Sequence, residues 1–245
     1  MSKSWPSALP RPRALLFDWD NTLVGNWGTI TQALNAAFAA FDMPPWTVAE
    51  AKRRVRSSMR ESFPEMFGAE WQRARDVFYG TFQQTHLQTI APMRGADAML
   101  RGLKSHGLYL GVVSNKHGPY LRAEAAHLGW SRLFGGVVGA ADCARDKPAI
   151  EPVELALKPG GIARGPGVWL VGDADIDMQC ARKAGCTPVL LHPEPPGEGF
   201  GRHRPALWLG DCDALLALLA QPQSRVNIAA RRASRRPTPT KEQNG

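Results

Sequence analysis

Five short stretches of this chain, 14–17, 109–113, 136–138, 168–171 and 188–191, are apolar without any alternation. A strand with one wet face alternates apolar and polar side chains, so unbroken apolar runs of this length belong to strands covered on both sides. A shorter run at 207–209 adds a sixth strand. Helical spacing of apolar residues appears between and after them, at 95–105, 119–128, 149–157, 175–184 and 211–219. This β-α recurrence predicts an α/β fold, a doubly wound, Rossmann-like parallel sheet with helices on both faces.

One connection breaks the rhythm. Residues 25–92 carry no strand pattern but three helical stretches, 29–41, 47–59 and 70–88. An ordinary βα loop has about 2–6 residues, so this segment reads as an inserted α-helical cap over the C-terminal end of the first strand. Ligands bind at that edge of open α/β sheets, which places the insertion as a lid. The core is then 13–24 together with 93–220. The flanks, 1–12 and 221–245, are expected to be disordered, the second as a basic tail with Arg231, Arg232, Arg235 and Arg236.

The formal net charge of +8 invites a nucleic-acid partner, but its distribution argues otherwise. Residues 221–245 hold five Arg and one Lys against one Glu, so +5 lies in the tail and +3 in everything else. No recognition module accompanies the tail, and nucleic-acid binding is expected only as non-specific tail contact. No run approaches the roughly 20 apolar residues of a membrane span. The first twelve residues lack the apolar stretch of a secretory signal. A cytoplasmic protein with no membrane partner is the expectation. The four cysteines form no C-x-x-C pair and no zinc spacing with the six histidines, as buried free thiols would.

Chemistry concentrates where apolar runs end. The first runs into Asp18-Trp19-Asp20-Asn21-Thr22. Carboxylates at i and i+2 project to one side of an extended chain, and charge beside a buried strand is costly unless paired or metal-bound. Ser114 and Asn115 follow the second run, Lys147 precedes a helix, and Gly172-Asp173-Ala174-Asp175-Ile176-Asp177 closes the 168–171 run. Singly, each fits a turn, a helix cap or a surface charge. Together they place Asp18, Asp20, Ser114, Lys147 and Asp173 on one edge of one sheet.

With these four segments in this order, residues 13–220 resemble the haloacid dehalogenase superfamily of phosphohydrolases. The insertion after the first motif is similar to the helical cap of the subgroup containing phosphoglycolate phosphatases and β-phosphoglucomutases. Asn21 stands where most members have Gly; Asn tolerates positive φ better than other residues with a side chain, so the turn should survive. The resemblance implies Mg²⁺ held by the Asp18 carboxylate, the Asp20 carbonyl and Asp173, with Asp177 as a further acidic partner, directly or through water. It implies Asp18 as nucleophile forming an aspartyl-phosphate, and Asp20 as general acid and then base. Ser114, the backbone amide of Asn115 and Lys147 would bind the phosphate oxygens. Asp175 is assigned to helix support and Thr22 to holding the turn.

The implied activity is Mg²⁺-dependent hydrolysis of a small phosphorylated metabolite, phosphoglycolate being the type. Arg53, Arg56 and Arg60, at helical spacing, could greet an acidic substrate, or form a solvated basic face. Trp27 and Trp46 read as packing residues. Asp20 argues against a dehalogenase, while Lys52, the only lysine of 25–92, leaves a phosphonatase open. A phosphomutase shares the same core residues. A nucleic-acid-binding protein acting through its tail is the alternative from another class.

Overall fold

In the computed structural model, which describes residues 9–55 and 57–221, the apolar runs form one sheet. The chain enters as β1 (Ala14–Phe17) and crosses through β2 (Val24–Gly25) into helices α1 (Trp27–Ala39), α2 (Val48–Arg54), α3 (Met59–Phe67) and α4 (Trp71–Thr89). It returns through β3 (Ala91–Pro92). From there α5 (Ala96–Ser105), β4 (Tyr109–His117), α6 (Gly118–His127), β5 (Gly136–Ala140), α7 (Glu151–Leu157) and β6 (Val168–Gly172) follow. The chain finishes with α8 (Asp175–Lys183), β7 (Thr187–Leu191), β8 (Leu207–Leu209) and α9 (Cys212–Leu219).

The sheet order is β5-β4-β1-β6-β7-β8, every pairing parallel. All four β1 side chains are fully buried, and they alternate between the two faces. Leu15 and Phe17 pack with Met99, Leu103, Leu121 and Leu215; Ala14 and Leu16 pack with Val153, Leu157, Cys180 and Ala181 on the other side. Full burial of one such Leu or Phe side chain contributes about 1.5–3 kcal/mol, so two covered faces explain why the strand tolerates no polar residue. Register then fixes the site. Phe17 lies level with Val112 of β4 and Val171 of β6, so the stretches that follow these three residues emerge side by side at one edge of the sheet.

Helices α1 to α4 build a separate apolar cluster around Leu34, Phe38, Phe63, Phe67, Phe78 and Phe82. It departs from expectation in two ways. The helix expected over 47–59 stops at Arg54, where Val55 turns extended (φ −75°, ψ 107°), and α3 begins afresh at Met59. Pro64 inside α3 disguises it in the sequence, because proline usually terminates a helix interior. Secondly, the two crossings pair antiparallel, Val24 with Pro92 and Gly25 with Ala91, in strands too short to leave a sequence pattern.

Residues 9–12, expected to be free, lie on the core: Pro12 is buried and the Trp169 indole donates to the Pro10 carbonyl at 3.3 Å. Residues 1–8 and 222–245, including Arg231, Arg232, Arg235 and Arg236, lie outside the described residues. All four cysteines are free thiols, three buried and Cys143 half-buried. Among the described residues no helix is long and apolar enough to cross a membrane.

Candidate active site

Beyond β1 the backbone continues the ladder for one residue, Asp18 N–H donating to the Val171 carbonyl at 2.8 Å. It then turns tightly. Leu23 and Val24 donate to the Trp19 carbonyl, at 2.9 and 3.1 Å, and Asn21 N–H to the Val24 carbonyl at 2.7 Å. Asn21 adopts φ +70°, so the turn demands the left-handed conformation that Asn accepts more readily than most side-chain-bearing residues. Its side chain also donates to Asp173 Oδ2 at 2.9 Å, a tie across 152 positions that the sequence does not announce. Thr22 sits between the acids, its hydroxyl 3.3 Å from Asp173 Oδ1 and 3.5 Å from Asp18 Oδ2.

Asp18, Asp173 and Asp177 each offer an oxygen within 4.8 Å of the others. Lys147 Nζ, 2% exposed, donates to Asp18 Oδ1 at 2.6 Å and to Asp177 Oδ1 at 2.7 Å. Asp177 also caps its own helix, accepting from Ala174 N–H at 3.1 Å. This packing requires glycine at 172: a Cβ there would lie 2.3 Å from the Asp177 carboxyl. The loop that delivers Lys147 is clamped by Asn115, whose amide accepts from Lys147 N–H at 3.0 Å and donates to the Lys147 carbonyl at 3.1 Å. Asp175, at the first position of α8, faces His203 at 3.2 Å.

Burial, with Asp18 and Asp177 close by, pushes Asp173 up to about 7. Burial likewise raises Asp177 to about 6, against the opposing pull of Lys147. Burial on its own would lower Lys147, but Asp177 and Asp18 together outweigh it and hold the amine charged. Three crowded carboxylates facing one cation are electrostatically short of positive charge. Their all-oxygen donor set suits a hard divalent ion such as Mg²⁺, which needs only one or two carboxylates with other oxygens. The residues therefore fit the ion that the resemblance implies.

Asp20 is oriented differently. Its carboxylate accepts from Lys116 Nζ at 2.8 and 3.1 Å. Burial raises it to about 6, Lys116 opposing and Glu124 adding to the rise.

A cavity of about 860 Å³ opens above these groups, within the roughly 300–1,000 Å³ typical of ligand sites. Asp18, Asp20, Ser114, Asn115, Lys147, Asp173 and Asp177 all line it. Its roof comes from the insertion and is mostly apolar, including Leu34, Phe63, Phe78 and Phe82. Trp27 and Lys52 line it as well. His117 lines it too, and the indole N–H of Trp27 and Nδ1 of His117, both buried, have no hydrogen-bond partner among the described residues. Trp27 also packs against the aromatic cluster of the insertion, as expected. Trp46 does pack, edge-on to Phe38 at 4.6 Å between centroids.

Arg53 and Arg60 do not share a helix face. Arg53 is exposed at the end of α2, Arg56 lies outside the described residues, and the extended backbone at Val55 ends α2 before α3 begins. Arg60, on α3, makes two 2.6 Å bonds to Asp146, which is buried beside Lys147, and so fastens the roof to the floor instead of awaiting a substrate.

Sequence reasoning did not single out Lys116, Glu124 or His86, which meet beneath Asp20. One signal was present: Glu124 shares a helix face with Leu121 and Leu128, an acid on an apolar stripe.

The family described as haloacid dehalogenase-like hydrolase matches residues 15–191. Among curated relatives, a phosphoglycolate phosphatase of Photorhabdus laumondii is 28% identical over 233 residues, spanning 89% of this chain and 96% of the relative. A phosphoglycolate phosphatase of Rhodospirillum rubrum is 30% identical over 192 residues, 74% of this chain and 79% of the relative. A haloacid dehalogenase-like family hydrolase of Streptococcus pneumoniae superposes with a TM-score of 0.71, at 20% identity, over 83% of this chain and 96% of that structure. That last likeness is one of fold.

Proposed function

The chain belongs to the haloacid dehalogenase-like hydrolase family, and we propose that within it this protein is an Mg²⁺-dependent phosphatase of small phosphomonoesters that works through an aspartyl-phosphate. The carrying observation is the convergence of Asp18, Asp173 and Asp177 with Lys147 at the end of the central strand, open to a cavity.

The obstacle is repulsion between a phosphate dianion and a carboxylate nucleophile. Asp18, Asp173, the Asp20 carbonyl and Asp177 would hold Mg²⁺, which when bound neutralises phosphate charge and orients it. Asp18, fixed by its ladder bond to Val171, attacks phosphorus in line. Lys147, anchored by the Asn115 side chain, together with the Ser114 hydroxyl and the Asn115 backbone amide, receives the non-bridging oxygens. Asp20, raised to about 6, is suited to carry a proton near neutral pH. It gives that proton to the leaving oxygen and afterwards takes one from the attacking water. Phosphoglycolate, named for the relatives, is the first substrate to try.

The test is phosphate release from a panel of phosphorylated metabolites with Mg²⁺ and with EDTA. Release with Mg²⁺ alone, and a higher Mg²⁺ requirement in Asp173→Asn, are expected. Equal release in EDTA, or an unmoved Mg²⁺ requirement, would overturn the metal assignment. Isomerised sugar phosphate without free phosphate would overturn hydrolysis.

A further inference from the structure

Glu124, on the core helix α6, is fully buried, and its carboxylate gathers four donors. Oε2 accepts from the Trp19 indole at 2.7 Å and faces Lys116 Nζ at 3.2 Å. Oε1 accepts from the Asn26 amide at 3.2 Å and pairs with His86 Nδ1 at 3.0 Å. Lys116 in turn holds both oxygens of Asp20.

The origins of these donors are informative. Trp19 separates the two acids of the first motif. Asn26 sits immediately before α1, where the chain leaves the core, and His86 belongs to the last turn of α4, where it returns. Both crossings to the insertion therefore report to one carboxylate, which grips the amine touching the proton donor. A fully buried carboxylate is expensive to desolvate, and an apolar side chain beside Leu121 and Ala125 would serve packing alone. Lys116 left with Asp20 as its sole carboxylate would be free to draw it away from the cavity.

We infer that Glu124 is a positioning residue: through Lys116 it sets the placement of the Asp20 carboxyl toward the leaving oxygen, and through His86 and Asn26 it makes that placement depend on the seating of the cap. The inference rests on the phosphatase reading with Asp20 as proton donor.

A misplaced proton donor has a kinetic signature that general loosening lacks. An alkyl alkoxide must be protonated as it leaves, whereas p-nitrophenolate departs as an anion. Wild type, Glu124→Gln and His86→Phe are compared with Mg²⁺ on p-nitrophenyl phosphate and on the best alkyl phosphate of the panel, with thermal unfolding alongside. His86→Phe keeps an aromatic ring on Phe82, stacked at 4.8 Å, and removes only the donor.

The constant compared is kcat/KM, which ends at formation of the aspartyl-phosphate and so leaves out the water step that both esters share. In Glu124→Gln it should fall about 10²-fold on the alkyl ester, the lower range for general acid catalysis, and less than about threefold on the nitrophenyl ester. His86→Phe should show the same selectivity at about tenfold, and it decides the matter if Glu124→Gln does not fold. Equal losses on both esters, or none on either, in an active wild type overturn this inference alone. A wild type that releases phosphate from neither ester overturns the phosphatase reading and this inference with it.

Discussion

The floor and the roof of the cavity are built on opposite principles. The floor consists of charges that already have partners: Lys147 bonds Asp18 and Asp177, Lys116 bonds Asp20, and Asn21 and Thr22 bridge to Asp173. They come from strand ends whose register the neighbouring strands fix, from the start of α8 and from the loop that Asn115 clamps. The roof is an aromatic cluster that shows the cavity apolar surface and one lysine, with the buried Trp27 N–H left without a partner among the described residues. Rigidly held charge suits one unchanging bond-breaking step. A soft wall with a few open donors suits selection among leaving groups, which differ from one phosphomonoester to the next. The same division separates rate from recognition.

The division breaks most plainly at Asp18. Asp18→Asn should lower kcat by about 10³-fold or more with the circular dichroism spectrum retained. More than a few per cent of wild-type activity would remove the floor's nucleophile.

Lys147 tests whether the floor also carries stability. Lys147→Met leaves Asp18 and Asp177 buried without their cation, which should cost about 3–5 kcal/mol in urea unfolding with EDTA. Added Mg²⁺ should recover part of that loss.

A milder probe is pH. Asp173 at about 7 and Asp177 at about 6 are raised, so the metal-free folded protein retains protons that the unfolded chain has released. Their stabilisation is complete below the ordinary carboxylate range, and it is lost as pH rises through about 6 to 7. Thermal midpoints in EDTA should therefore fall between about pH 5 and pH 8, and Mg²⁺ should raise the midpoint more at the upper value. A flat profile would mean that the acids are not crowded.

The roof should give the smallest effect, and in a different constant. Trp27→Phe removes one donor and keeps the ring, so KM should rise about fivefold, the equivalent of one hydrogen bond, while kcat stays within about twofold. An effect on kcat alone would put Trp27 with the floor.

The floor was more legible in the sequence than the roof, for a physical reason. Asp18, Ser114 and Asp173 each follow an apolar run directly, and parallel pairing brings run ends together whatever lies between them. Local pattern is therefore enough to find them. Lys116, Glu124 and His86 are partners only after closure of loops spanning 38 and 105 positions, as His86–Glu124 and Trp19–Glu124 record. No local pattern encodes such meetings. In the roof, Pro64 concealed a helix, and the extended Val55 turned an apparent arginine face into one exposed side chain and one anchor, Arg60.

The pairing of Gly25 with Ala91 carries a consequence for how such enzymes diversify. Everything between these residues hangs from a neck two residues wide, whose ends already stand at turn distance. A segment of any length spliced across that neck would leave the strand order of the sheet untouched. New substrates can therefore be acquired by exchanging a hanging part, provided that the incoming segment keeps the contacts of Asn26 and His86 to Glu124.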